Sequence, residues 1–378
     1  MMKRKIPIMT PYSAQPNSLE RNCTEKQMKK SQASERNHTL TSLIFHLLLL
    51  CAVMMTGCAS EQSKYDFKDS KDAIGACHDY IHALQDLQGC SAGQLTDFVR
   101  QWQELSDTVY RHICKDSAFY AHTGLSMDFQ TATDSVKMEL LRLAERHTWS
   151  MKDVALLKMN TSPYVKDKEL QPAIDKAAAF YAGLDRLPEP SGGDAKGRIQ
   201  EYVRFLVDTR KQGIHSHQQM LDFIGKEDAC FRSFLAHMPE YTDFDMTGIT
   251  KTTEAVCAEI FRSASSMGIP PEETLAYMSM RTNRRLLQNA RVCADLIRNQ
   301  KVREARQANA YLWMSVQPFL SMDAVCVSML TDRQRQQMTE LAEGYPRLVS
   351  ILSAKRMVDT KTASEIPCQL AKLYIATL

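Results

Sequence analysis

His78 and His82 stand one helical turn apart with Cys77 beside the first, so on a helix both imidazoles could face one metal ion. Between them lie Asp79, Tyr80 and Ile81, so the glutamate that serves as base in a metalloprotease helix is missing. The same spacing also fits two half-exposed histidines flanking an apolar stripe, which is the plainer reading. His215 and His217 form His-x-His just before a Ser216–Gln219 helix start and read more readily as loop and cap than as ligands. Arg281, Arg284, Arg291 and Arg298 run along the segment from Glu272 to about Gln300, and the last three recur every seven residues. Such a row, with Arg284, Arg291 and Arg298 as candidate binding residues, could hold phosphate, carboxylate-bearing glycans or an acidic partner. The blander reading, favoured by Asp295 and Glu304 nearby, is the solvated face of an amphipathic helix. Glu240, Asp243 and Asp245 could hold calcium, but the full EF-hand spacing is absent and a surface loop is the better reading. Beyond residue 57 there is no Gly-rich phosphate loop and no HExxH; no catalytic residue is singled out and no cofactor is implied.

These side chains must be positioned by helices. Residues 70–88 put Ile74, Cys77, Ile81 and Leu84 on one stripe. Leu95, Phe98, Val99, Trp102, Leu105, Val109 and Ile113 form another, opened by Ser91 with Gln94 three residues on. Ser150 with Asp153, Ser216 with Gln219, and Thr331 with Gln334 repeat that start signature. In the Glu272–Gln300 segment, Leu275, Met278, Leu286, Ala290, Cys293, Leu296 and Ile297 are assigned to the apolar side and the arginines to the other. No period-two alternation bounded by turn pairs is found, which argues against a sheet. The expectation is an all-α, multi-helix globular body of about ten to twelve helices.

Residues 188–196, beginning Pro188-Glu189-Pro190-Ser191-Gly192-Gly193, are the clearest break in composition and read as a linker or an exposed loop. They would divide a helical half at 69–187 from one at 197–378. Echoes about 120 residues apart, such as Val154–Thr161 against Leu275–Thr282, would make the halves similar, although helices share apolar periodicity by default. The formal charge of +3 resides in the leader: residues 1–57 hold 8 Lys+Arg and 3 Asp+Glu, leaving 39 basic and 41 acidic residues. A general nucleic-acid binder is therefore not expected.

From Leu40 to Met55 runs an uncharged apolar stretch, LTSLIFHLLLLCAVMM, followed at once by Thr56-Gly57-Cys58. At 16 residues it is shorter than the ~20 that span a bilayer, and with basic residues before it and small ones after it has the layout of a secretory signal. Met55-Thr56-Gly57-Cys58 resembles the lipobox of bacterial lipoproteins, with Met55 where Leu is commoner. The resemblance covers only the leader. It implies that 1–57 is a signal peptide and that Cys58 becomes the lipidated first residue, followed by a tether at 58–68. Met28-Lys29-Lys30 is the more ordinary beginning for such a leader, which would make 1–27 a misassigned start. Ala59, rather than Asp, after Cys58 implies sorting to the outer membrane, periplasmic or surface-facing.

Eight cysteines follow Cys58, and beyond the inner membrane one or two disulfides among them would be chemically allowed. No CxxC occurs, however, and Cys77 and Cys293 lie on apolar stripes where a free thiol packs as a small hydrophobe. The reading that results is a lipid-anchored cell-envelope protein, held to the membrane through Cys58, that binds or scaffolds an envelope protein or ligand. An envelope hydrolase or lyase using His78 and His82, and a ligand-capture lipoprotein for import, are the alternatives.

Overall fold

Three of the four helix starts expected from Ser/Thr-x-x-Gln/Asp close as reciprocal hydrogen-bonded boxes. At Ser91 the backbone N–H donates to Gln94 Oε1 (2.9 Å) while the Gln94 N–H donates to Ser91 Oγ (3.2 Å). Ser150 with Asp153 (2.9 and 3.1 Å) and Thr331 with Gln334 (3.0 and 3.2 Å) do the same. Ser216 caps the Gln219 N–H at 3.2 Å, but the Gln219 side chain accepts from the His215 N–H at 2.7 Å, one residue earlier than in a capping box.

The computed structural model describes residues 65–113, 115–116, 123–161, 170–187, 193–238, 253–259, 261, 263 and 267–378. Cys58, the leader, Cys114, most of the Pro188–Gly193 break and the acidic triplet Glu240, Asp243 and Asp245 lie outside the described residues. The described residues form α1 (Ser70–Gln85), α2 (Ala92–Ile113), α3 (Thr123–Arg146), α4 (Met151–Thr161), α5 (Leu170–Leu184) and α6 (Ala195–Gln212). After these come α7 (His217–Ala236), α8 (Pro271–Arg298), α9 (Ala305–Ser321), α10 (Ala324–Ser328), α11 (Asp332–Ala354) and α12 (Thr360–Ala376). A helical stretch at 253–259 precedes α8, and among the described residues there is no strand, so the body is all-α.

Two helices are enclosed rather than amphipathic. In α4, Met151, Val154, Ala155, Leu157, Lys158, Met159 and Thr161 are all buried, which leaves only a narrow solvated strip through Lys152, Leu156 and Asn160. It is ringed by α2, α9, α10, α11 and α12. The longest helix, α8, has 28 residues and packs against α5, α7, α9, α10 and α11. Around these axes α1, α2 and α3 pack on one another, α12 closes over α3 and α4, and α6 pairs with α7. Residues 63–378 make one compact unit, and helices from before and after residues 188–196 are in contact within it, as α4 with α11 and α5 with α8 show.

The enclosure of α8 corrects its two-faced sequence reading. Arg281, placed on the solvated side, is 3% exposed, whereas Met278, placed on the apolar side, is 40% exposed. A helix with neighbours on several sides has no single polar face, so the period of its apolar residues does not locate the others. Farther along, Arg291 and Arg298 are exposed as expected.

Pro367 lies inside α12 and cannot donate to the Ala363 carbonyl one turn back. The Tyr345 hydroxyl of α11 donates to that oxygen instead, at 2.7 Å, so the buried carbonyl is satisfied and the two helices are tied. Trp149 Nε1 likewise donates to the Ala144 carbonyl near the end of α3, at 2.8 Å. The apolar stripes of α1 and α2 face inward as read, with Cys77, Leu95, Val99 and Val109 fully buried and Trp102 1% exposed. Trp313 on α9 is 44% exposed. Denaturant unfolding should therefore separate the two indoles. Trp102→Ala is expected to cost about 3–5 kcal/mol of stability, and Trp313→Ala about 0.5 kcal/mol or less. Equal losses would contradict this packing.

Candidate functional site

The largest collection of charge in the described interior is built on α7 and α8. The α7 stripe runs through Met220, Phe223, Ile224, Phe231 and Phe234, and Glu227 and Asp228 occupy stripe positions between them. Both carboxylates are buried, at 1% and 4% exposure. Successive residues point about 100° apart round a helix, so the two meet different arginines of α8.

Glu227 faces Arg281 and Arg285, which are one turn apart. Arg281 donates through Nε to Oε2 and through Nη2 to Oε1, each at 3.3 Å, and Arg285 Nη1 lies 3.0 Å from Oε1. The Tyr202 hydroxyl of α6 donates to the same Oε1 at 2.6 Å. From 253–259, Glu254 adds a second carboxylate, 3.4 Å from Arg281 and 3.1 Å from Arg285. The Arg285 guanidinium sits 4.1 Å from the centre of the Phe231 ring. Asp228 receives Arg284 through Nε (2.6 Å) and Nη2 (3.2 Å), and also its own-helix neighbour Arg232 at 3.1 Å. Arg284 Nη1 reaches on to Asp185, after α5, at 2.5 Å.

The cluster thus pairs Arg232, Arg281, Arg284 and Arg285 with Asp185, Glu227, Asp228 and Glu254. Burial pushes the Glu227 carboxyl up, but the charges of Arg281 and Arg285 and the bonds from Tyr202 and Arg281 outweigh it and hold it below its ordinary 4.5. With burial and the Glu227 charge together, the Tyr202 phenol is held well above its ordinary range. Chemically the arrangement is a clasp. Arg284, a candidate for binding an external anion, spends its donors on Asp228 and Asp185.

The other candidates are dispersed. His78 and His82 are both exposed on α1, with Cys77 turned into the core beside them. His215 contacts the Gln212 carbonyl while His217 lies 2.7 Å from Glu273, so the His-x-His pair diverges. Arg298 pairs with Asp295 on its own helix. Among the described residues no group of three or more His, Cys, Asp and Glu could hold a metal. Cys77, Cys90, Cys230, Cys257, Cys293, Cys326 and Cys368 are free thiols, not disulfides. Burial pushes those of Cys77, Cys257, Cys293 and Cys326 up to about 12, far from a reactive thiolate.

Sequence reasoning missed Lys158. It is 2% exposed, and its ammonium donates to the Phe319 carbonyl at 2.7 Å and lies 5.4 Å from the Tyr374 ring centre. Phe319 stands in the last turn of α9, where carbonyls lack intrahelical donors and the helix dipole favours a cation. Burial lowers the amine to about 8, against the opposing charge of Asp323. The signal was present: Lys158, Glu227, Asp228 and Arg281 all interrupt core stripes.

On the surface, an open groove of about 440 Å³ runs between α3 and α12, with Met138, Leu141 and Leu373 along it and Arg142, Glu145 and Lys372 at its edges. Met138 is 64% and Leu373 56% exposed, and a Lys372–Glu145 pair at 3.0 Å bridges the two helices.

Glu227→Gln should lower stability by about 3–5 kcal/mol at neutral pH, because Arg281 and Arg285 lose a buried counter-charge. In the unaltered protein this contribution is complete above pH 4.5 and is lost as pH falls through the lower folded-state value. Acid unfolding should thus distinguish the two proteins by its slope below that pH. For Lys158 the folded-state amine titrates near 8 and the free one at 10.5, so its contribution is full above 10.5 and lost as pH falls to about 8. Unfolding measured against pH should show the unaltered protein gaining on the order of 3 kcal/mol relative to Lys158→Met across that window. A flat difference would mean that this ammonium is solvated. Compared with known protein families, curated proteins and solved structures, the chain matches none.

Proposed function

We propose that this is a lipid-anchored protein of the bacterial cell envelope, acylated at Cys58, whose helical body binds or scaffolds a partner at the membrane. The observation that carries the reading is the uncharged Leu40–Met55 run closed by Thr56-Gly57-Cys58. Among the described residues no helix is long and apolar enough to cross a membrane. Acyl chains on the first mature residue would supply the attachment, since more than one chain is what makes anchoring stable. Ala59 favours the outer membrane by resemblance to sorted lipoproteins.

Binding is favoured over catalysis by the character of the perturbed groups. The buried carboxylates of α7 are engaged by arginines, Lys158 by a main-chain carbonyl, and the buried thiols are pushed toward the protonated form. A catalytic group with a shifted titration ordinarily faces a cleft where a substrate can reach it. The exposed apolar side chains of the α3–α12 groove instead offer an open contact surface.

Cells fed labelled palmitate should incorporate the label into this protein and retain it in the membrane fraction. Cys58→Ala should lose both the label and the retention. Label persisting in Cys58→Ala would show the anchor assignment to be wrong.

A further inference from the structure

Cys293 is a buried helical cysteine with an unusual set of neighbours. An ordinary one turns its S–H to the carbonyl one turn back, as Cys77 does toward Ala73 at 3.7 Å. Cys293 Sγ instead faces the thioether sulfurs of Met314 at 3.6 Å and Met238 at 3.7 Å, with the amide oxygen of Asn289 at 3.9 Å. Three lone-pair atoms therefore converge on a thiol that has one proton to offer. The residues come from three places: Cys293 and Asn289 from α8, Met314 from α9, and Met238 from just beyond α7. Cys293 is fully buried and Met238 is 4% exposed, while Met314 is only half-buried and marks the side open to solvent.

The geometry points to a binding site for copper(I), with the Cys293 thiolate and the Met238 and Met314 thioethers as ligands and the Asn289 amide beside them. Thiolate and thioether sulfurs are the donor set that selects this soft cation over harder divalent ions. Bonds of about 2.3 Å, the metal–thiolate length in zinc sites, put three sulfurs in a trigonal plane about 4.0 Å apart. The observed 3.6 and 3.7 Å are within a few tenths of that spacing, a change that unbranched methionine side chains absorb readily. Charge also fits. A thiolate alone in this apolar setting is costly, but a monovalent cation replaces the thiol proton one for one and leaves the site neutral. The step is R–SH + Cu⁺ → R–S–Cu + H⁺; the S–H bond breaks, the S–Cu bond forms, the proton leaves to solvent and no atom changes oxidation state. A divalent ion would leave a buried positive charge. The site is independent of whether Cys58 is acylated.

The test uses the full chain in detergent, titrated anaerobically with copper(I) in competition with a coloured copper(I) chelator. One tightly held equivalent is expected, with X-ray absorption showing three sulfur neighbours. Met238→Leu/Met314→Leu keeps core volume and should weaken retention by at least about tenfold, the low end of what loss of even a supporting partner costs a metal site. Cys293→Ser should abolish that equivalent. Should the double variant fail to match the parent's circular dichroism, Met314→Leu alone, at the half-buried position, serves with the same expectation. Retention unchanged by the thioether substitutions would place the copper on other thiols and overturn the site, as would a parent protein that holds no copper(I) against the chelator.

Discussion

Two carboxylates on the core stripe of α7 impose a condition that much of this fold is arranged to meet. Glu227 and Asp228 are buried where an apolar helix would carry Leu or Val, and an unpaired charge there would be strongly destabilising. The remedy comes from a helix more than fifty residues away. Arg281, Arg284 and Arg285 reach them from α8, and Tyr202 of α6 and Glu254 complete the set. Guanidinium forks bond in fixed planes, so the pairing ties Arg281, Arg284 and Arg285 of α8 to Glu227 and Asp228 of α7 in one register. Asp185 extends the same constraint to the end of α5.

A second theme is the use of long polar side chains to finish backbone hydrogen bonding at helix ends and breaks. Lys158 bonds the Phe319 carbonyl in the last turn of α9, Tyr345 the Ala363 carbonyl freed by Pro367, and Asn283 the Cys326 carbonyl of α10 at 2.9 Å. Each joins two helices and satisfies a buried acceptor, across 161 residues for Lys158, 43 for Asn283 and 18 for Tyr345. The Lys158 and Asn283 bonds tie the enclosed helices α4 and α8 to α9 and α10, so removing one disturbs packing as well as polarity.

The interior chemistry and the proposed role at the membrane are consistent in kind. Charged groups inside are engaged by other parts of the chain, whereas Met138 and Leu373 stand exposed along the α3–α12 groove. The sulfur triad at Cys293 differs from both, because its donors outnumber the single proton they surround.

Much of the secondary structure was legible from local rules. The boxes at Ser91, Ser150 and Thr331 form as their spacing requires, and the stripes of α1 and α2 face inward, because capping and periodicity act within a few residues. The same rules misplaced Arg281 and Met278 and gave no notice of Lys158 or the Glu227 clasp. Periodicity assigns a helix one buried face, but it cannot say how many neighbours surround that helix. Charged residues interrupting a stripe were the available sign, and their partners lie 54 residues off for Glu227 and Arg281, and 161 for Lys158 and Phe319. The residues alone therefore settled where the boxed helices begin and which faces of α1 and α2 are apolar. Only the packed chain decided which charges are inside, because burial of a charge is stable only when a distant counter-group arrives beside it.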